Sequence, residues 1–169
     1  MDAEDVILTR RSIRNYTKKS ISDEIIKDLI EFGTTAPSAG NQQPWQFIII
    51  NDRIILEKLT EFLPNGKMLK NADKAICVCG DLSVEKYKGY WMLDCSAATQ
   101  NILLSAHAKG LGACWLGVYP REERVSNLKK LFNTPENIIP FSVISLGYPN
   151  EESGKVDRYH DSIVHKNKW

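Results

Sequence analysis

Apolar positions along the chain follow two rhythms, and their alternation lays out the elements. Ile25, Ile26, Leu29 and Ile30 recur at helical spacing behind Ser22, a capping residue, and behind Asp23 and Glu24, whose charges suit a positive first turn; Gly33 ends the run. Acidic residues at positions 2 to 5 leading into Val6, Ile7 and Leu8 predict a short opening helix. Further helices are read over residues 53–63, over residues 90–109 before Gly110, and over residues 122–132. The 90–109 segment spreads Trp91, Leu93, Ile102, Leu103 and Leu104 widely around its axis. It intersperses small residues such as Ala97, Ala98 and Ala106, which predicts a central helix closely approached by others. Short apolar runs at 47–50, 75–79, 113–117 and 141–146, each bounded by turn formers, read as buried strands.

Strands alternating with helices indicate a layered fold, and the rhythm alone predicts a parallel sheet. The segment from 150 to 169 breaks the pattern. It is polar apart from the short run Ile163 and Val164, so it cannot bury itself and is expected either disordered or lying on a partner. A length of 169 residues with 43% hydrophobic content fits a single domain spanning 1–169 with peripheral arms.

Charge narrows the partners. Twenty-two basic against 21 acidic residues leave a formal net charge of +1, with no global field to gather polyanions, so nucleic acid is not expected to bind. No apolar stretch has the length to cross a bilayer, and Asp2, Glu4 and Asp5 are the opposite of a basic secretory leader, which predicts no membrane association and a cytoplasmic location. Cys77, Cys79, Cys95 and Cys114 lie inside apolar runs as small hydrophobes. Cys77 and Cys79 would share one strand face, but nothing completes a metal-ligand set, and no metal is expected.

Against this neutral background the stretch TRRSIRNY, residues 9 to 16, is anomalous: Arg10, Arg11 and Arg14 crowd around Ser12. Like charges this close need water or an anion between them. In an extended segment Arg10, Ser12 and Arg14 project to one side, with Arg11 and Ile13 on the other. The stretch lies between two predicted helices, a loop position where function is often carried. A second notable stretch, APSAGNQQPW at 36–45, is rich in turn formers and side-chain amides; Gln42 and Gln43 are read there as capping local backbone. His107, His160 and His165 stand in no arrangement with a nucleophile and an acid, which argues against a hydrolase.

TRRSIRNY, APSAGNQQPW and GACWLGVYP, in this order and at these distances, resemble the nitroreductase family of FMN-dependent oxidoreductases; DCSAATQNILL and SLGYP extend the likeness over nearly the whole chain. The resemblance implies an α+β, three-layer fold with a mixed, mostly antiparallel central sheet flanked by helices, and a C-terminal tail exchanged across a homodimer. It implies FMN as cofactor and NADH or NADPH as hydride donor, with a nitroaromatic, quinone or similar small electrophile reduced in ping-pong order. Arg10, Arg11 and Ser12, joined by Lys155 and Arg158, would hold the phosphate and ribityl chain, with Arg14 nearer the flavin pyrimidine. Pro37, Ser38, Ala39, Asn41 and Gln43 would approach the ring bound mainly by the other subunit. Leu116 and Gly117 would offer a backbone N–H to flavin N5, and Lys67 a positive charge near flavin O2. No side chain would act as a catalytic nucleophile, since the flavin carries the chemistry. The loop 82–89, with Tyr87 and Lys88, would be the lid. No GxGxxG fingerprint is present, which agrees with a nicotinamide visiting the flavin. A non-catalytic flavin-binding or sensing protein, or a specialised family reaction such as reductive dehalogenation, is the alternative.

Overall fold

The computed structural model describes residues 1–152 and 154–169; position 153, inside the predicted tail, lies outside the described residues. Five α-helices and four strands follow one another as α1 (Ala3–Thr9), α2 (Asp23–Thr34), β1 (Trp45–Ile50), α3 (Arg53–Phe62), β2 (Lys74–Asp81), α4 (Trp91–Ala108), β3 (Gly112–Gly117), α5 (Glu122–Phe132) and β4 (Ile138–Gly147). Side-chain caps start three of the helices. Asp2 accepts from the Asp5 amide, Ser22 from that of Ile25, and Asp52 from those of Ile54 and Ile55. Asn133, in the left-handed region at φ 50°, stops α5.

The sheet runs in the order β1-β2-β4-β3, and every neighbouring pair is antiparallel. The fold is therefore α+β, and the parallel sheet read from rhythm alone is corrected. The reason lies in the connections. α3 and the irregular return after it bring the chain back antiparallel beside β1, whereas α4 carries it from β2 to β3 in the same direction but one strand further over. β4 then fills the space between, opposed to both. Alternating rhythm encodes the elements but not which neighbour a strand will find.

β2 is buried almost throughout because both its faces are covered. Ile76 and Val78 face α2 and α4 with Leu29, Ile102, Ile144 and Leu146; Ala75, Cys77 and Cys79 face α3 and α5 with Leu56, Leu59, Leu128 and Val143. The four cysteines are free and buried, as their apolar settings indicate, with the sulfurs of Cys77 and Cys79 3.7 Å apart on one face. β2 begins one residue before the predicted run. Lys74 is drawn in because its stem is buried while its ammonium pairs with Asp23 in the first turn of α2. β4 likewise extends beyond the predicted 141–146, and a register shift opposite Val78 and Cys79 accommodates Pro140.

α4 packs closely against α2, but it is not covered all round: Leu93, 59% exposed, and Tyr90 stand in solvent. Its hydroxyls turn inward along the axis, Ser96, Thr99 and Ser105 each donating to the carbonyl four residues earlier, and Thr99 also meets Ser142 of β4 at 3.1 Å.

Candidate functional site

The arginine stretch leaves α1 and runs along the outer edge of β3. Ser12 pairs with Ala113 in an isolated parallel bridge, and the Ile13 amide donates to the Ala113 carbonyl at 3.0 Å. Ile13 is buried against Gly112, where a Cβ would come within 2.6 Å of its side chain; this close approach is what lets the stretch lie flat on the strand. Burial of Ile13 turns Ser12 and Arg14 outward, in agreement with the alternation expected of an extended segment.

Arg11 departs from a free cation. Its guanidinium folds back to donate to the carbonyls of Leu8, at 3.0 Å, and Arg10, while its Nε is buried with no hydrogen-bond partner among the described residues. Neither of the two ion pairs found among the described residues involves Arg10, Arg11 or Arg14. Burial, followed by the charges of Arg11 and Arg158, pushes the Arg10 guanidinium below its ordinary value. His107, on α4, meets the Thr9 hydroxyl at 2.8 Å; burial and then the charges of Arg10 and Arg11 lower its pKa. The one carboxylate that bonds to the stretch does so through backbone: Glu151 Oε1 accepts from the amides of Arg14, at 2.5 Å, and Asn15, at 3.1 Å.

Two cavities flank this segment. One of about 710 Å³ is lined by Arg10 and Arg11 together with Lys155, Asp157 and Arg158 from the tail. The other, of about 740 Å³, brings Arg14 together with Lys67, Asn71, Cys114 and Leu116. Burial raises the Cys114 thiol, with Arg14, Ser12 and Arg10 opposing it, so the group is a neutral wall and no nucleophile. Gly117 is exposed at the end of β3 beside this cavity, its carbonyl accepting from Arg124 at 2.7 Å.

The structure thus gathers Arg10, Arg11, Lys155 and Arg158 around one space and Arg14, Lys67 and Leu116 around the next, with Ser12 between. The loop carrying Pro37, Ser38, Ala39, Asn41 and Gln43 lines neither. Pro37, Ser38 and Ala39 form a separate shallow groove with Tyr90, Leu93 and Asp94. Within the loop the Gln43 backbone amide donates to Ser38 Oγ at 3.0 Å, and the Gln43 side chain donates to Asn41 Oδ1 at 2.9 Å, a bond between side chains rather than to backbone. Gln42 corrects its expectation: it is buried, and its amide bonds to Asp94 and to the backbone of Lys86 and Tyr87 rather than to nearby residues. Sequence reasoning also missed Asn71. Its signal was a polar amide one turn beyond Lys67, in NGKMLKNADK.

A cluster of cations in no ion pair among the described residues, and an adjoining cavity lined by both polar and apolar side chains, suit a phosphorylated planar cofactor. This is the class the fold and site define: an α+β protein that binds an anionic cofactor and positions it. The chain belongs to the nitroreductase family and is an oxidoreductase of that type; the family profile matches residues 7–75 and 63–148. It is 51% identical over 168 residues to a candidate NADH dehydrogenase/NAD(P)H nitroreductase of Archaeoglobus fulgidus, covering 97% of each chain. Among solved structures it matches a candidate NADH oxidase of Clostridium acetobutylicum with a TM-score of 0.94 at 46% identity, over 98% of this chain and 100% of that one. It also matches a candidate nitroreductase of Desulfovibrio desulfuricans in complex with FMN, with a TM-score of 0.85 at 28% identity, over 100% and 99%.

Proposed function

We propose that residues 1–169 act as one FMN-binding domain of a homodimeric NAD(P)H oxidoreductase that reduces nitroaromatics, quinones or similar small electrophiles in ping-pong order. The observation that carries the reading is the cluster of Arg10, Arg11 and Arg158 around one cavity, none of them in an ion pair among the described residues. FMN bound there would supply the redox chemistry between NADH or NADPH and the acceptor.

The chain's own residues bind and orient. Arg10, Ser12, Lys155 and Arg158 would hold the phosphate end, and Arg11, its guanidinium held by backbone carbonyls, would add positive charge beside it. Arg14, Asn71 and Lys67 would hold the ring, with the Lys67 ammonium available to balance negative charge. Leu116 and Gly117 present backbone without a titrating group, and the neutral Cys114 thiol stays out of the reaction.

Three features support the homodimer. The tail is exposed along its described length, with Val156, Tyr159, Ile163, Val164 and Trp169 all in solvent, and β1 leaves one edge of the sheet open. The loop 37–43, which lines neither of the two cavities beside the arginines, sits beside exposed Tyr90 and Leu93, where it can complete the site of a second copy; the tail lies across that copy in turn.

The visible spectrum of the purified protein, together with its mass in solution, tests the reading. A yellow dimer that NADH bleaches without oxygen, and that a nitroaromatic restores, is expected. A yellow protein that NADH leaves unchanged is a flavin-binding module, and a colourless monomer that refuses added FMN overturns the proposal.

A further inference from the structure

β3 is an edge strand, and its outer edge borders the site. Along a strand the N–H and C=O of one residue point to one edge, and those of the next residue to the other. The Ala113 carbonyl accepts from the Ile13 amide of the arginine stretch and so points outward, whereas the Val118 amide points inward and donates to the Phe141 carbonyl of β4 at 3.1 Å. The register of β3 against β4 runs without a shift from Gly112 to Gly117, which puts the amides and carbonyls of Trp115 and Gly117 on the outer edge with those of Ala113. Trp115 and Leu116 form part of the wall of the 740 Å³ cavity there.

A strand edge offers donors and acceptors in turn. On this edge every carbonyl from Ala113 onward meets a donor. The Ile13 amide takes that of Ala113 at 3.0 Å, the Cys114 thiol lies 3.9 Å from that of Trp115 as a weak donor, and Arg124 Nη1 donates to that of Gly117 at 2.7 Å. Arg124 reaches back from the first turn of α5, and neither ion pair among the described residues involves it. Gly117 is exposed, and a Cβ built on it would meet nothing within 4 Å. No neighbour crowds this end of the strand, so the guanidinium is what holds its outer side.

We propose that Arg124 is a positioning residue: by occupying the Gly117 carbonyl it fixes the end of β3, leaves N–H groups as what the edge presents to the ring, and sets with its charge how readily the flavin is reduced. This rests on the reading given above, in which Leu116 and Gly117 present backbone to bound FMN. A bare carbonyl at that edge repels the electron-rich rim of the ring and opposes the negative charge gained on reduction. A carbonyl bonded to a guanidinium brings a cation to the same place instead.

The test compares the FMN-loaded dimer with Arg124→Met, which keeps a long stem without charge, and Arg124→Lys, which keeps the charge and a donor. The flavin midpoint potential is read from the visible spectrum during anaerobic reduction beside a reference dye. Arg124→Met is expected to bind reduced FMN about 10-fold less tightly relative to oxidised FMN, a midpoint about 30 mV more negative, and Arg124→Lys to recover most of the difference. Hydrogen exchange of the flavin-free protein reads the geometry apart from the redox chemistry. The Val118 N–H belongs to the same peptide unit as the Gly117 carbonyl, and it and the Tyr119 amide both donate to the Phe141 carbonyl; both are expected to lose protection in Arg124→Met. A midpoint in Arg124→Met equal to the parent's overturns this inference alone, as do equal shifts in Arg124→Met and Arg124→Lys, or unaltered protection at residues 118 and 119. A parent protein that binds no FMN overturns the underlying reading and this one with it.

Discussion

At the scale of single residues, the site is a problem of uncompensated charge. Changing Arg10 or Arg158 to Ala is expected to weaken FMN binding by about 1.5–3 kcal/mol each, the worth of a charge-assisted hydrogen bond, measured by titrating the flavin-free protein; affinity equal to the parent's in both refutes their assignment. His107 reports on the same field. Its folded pKa is lowered, by burial first and then by Arg10 and Arg11, so as pH falls through the ordinary histidine range the unfolded chain takes up a proton that the native state refuses. The stability this residue contributes is thus complete above that range and is lost between the ordinary value and the lowered native one. Inorganic phosphate bound at Arg10 offsets the positive field, so the His107 midpoint, followed by NMR, is expected to rise on adding phosphate. A midpoint indifferent to phosphate places the anion elsewhere. The arginines were legible because repulsion among neighbours in sequence needs no knowledge of the fold. Gln42 was not: its partners are 44, 45 and 52 residues away, and nothing local distinguishes its amide from that of Gln43.

At the scale of elements, the helices and strands were legible from periodicity and from the Ser22 cap, because burial on one face imposes a rhythm that the apolar runs record directly. Strand direction was not, since the return after α3 and the crossing of α4 leave identical local patterns while sending their strands opposite ways. The contact of the arginine stretch with β3 likewise depends on Gly112, which lies one residue before the run 113–117 read as a strand and carries no mark of the partner it meets. Gly112→Ala forces Ile13 off the strand and is expected to cost about 1–3 kcal/mol in chemical denaturation. FMN affinity is expected to fall with it, because Arg10, Ser12 and Arg14 share the segment that Ile13 anchors. A variant as stable as the parent, and equal to it in flavin affinity, separates the segment from the site.

At the scale of the whole molecule, a nearly neutral chain gathers Arg10, Arg11 and Arg14 where its first residues meet the segment after β4, through Asn15, Pro149 and Glu151. Removing residues 151–169 takes away Glu151, Lys155, Arg158 and the exposed apolar tail together; the shortened protein is expected to sediment as a monomer and to lose FMN. Trp169 is fully exposed in the single chain, so its emission, isolated by difference against Trp169→Phe, is expected to shift to the blue as the dimer assembles. Emission that ignores protein concentration between the two states removes the tail from the interface. The place of β4 in the sheet has a further consequence, one for biosynthesis. Both of its neighbours emerge from the ribosome earlier, yet they cannot bond to each other while the slot between them is empty. A nascent chain arrested at the end of α5 therefore holds β1 and β2 as a lone pair with β3 adrift, and stays open to protease. Translation must run past β4 before the sheet can close, so the site beside β3 takes its final shape only after that strand is made.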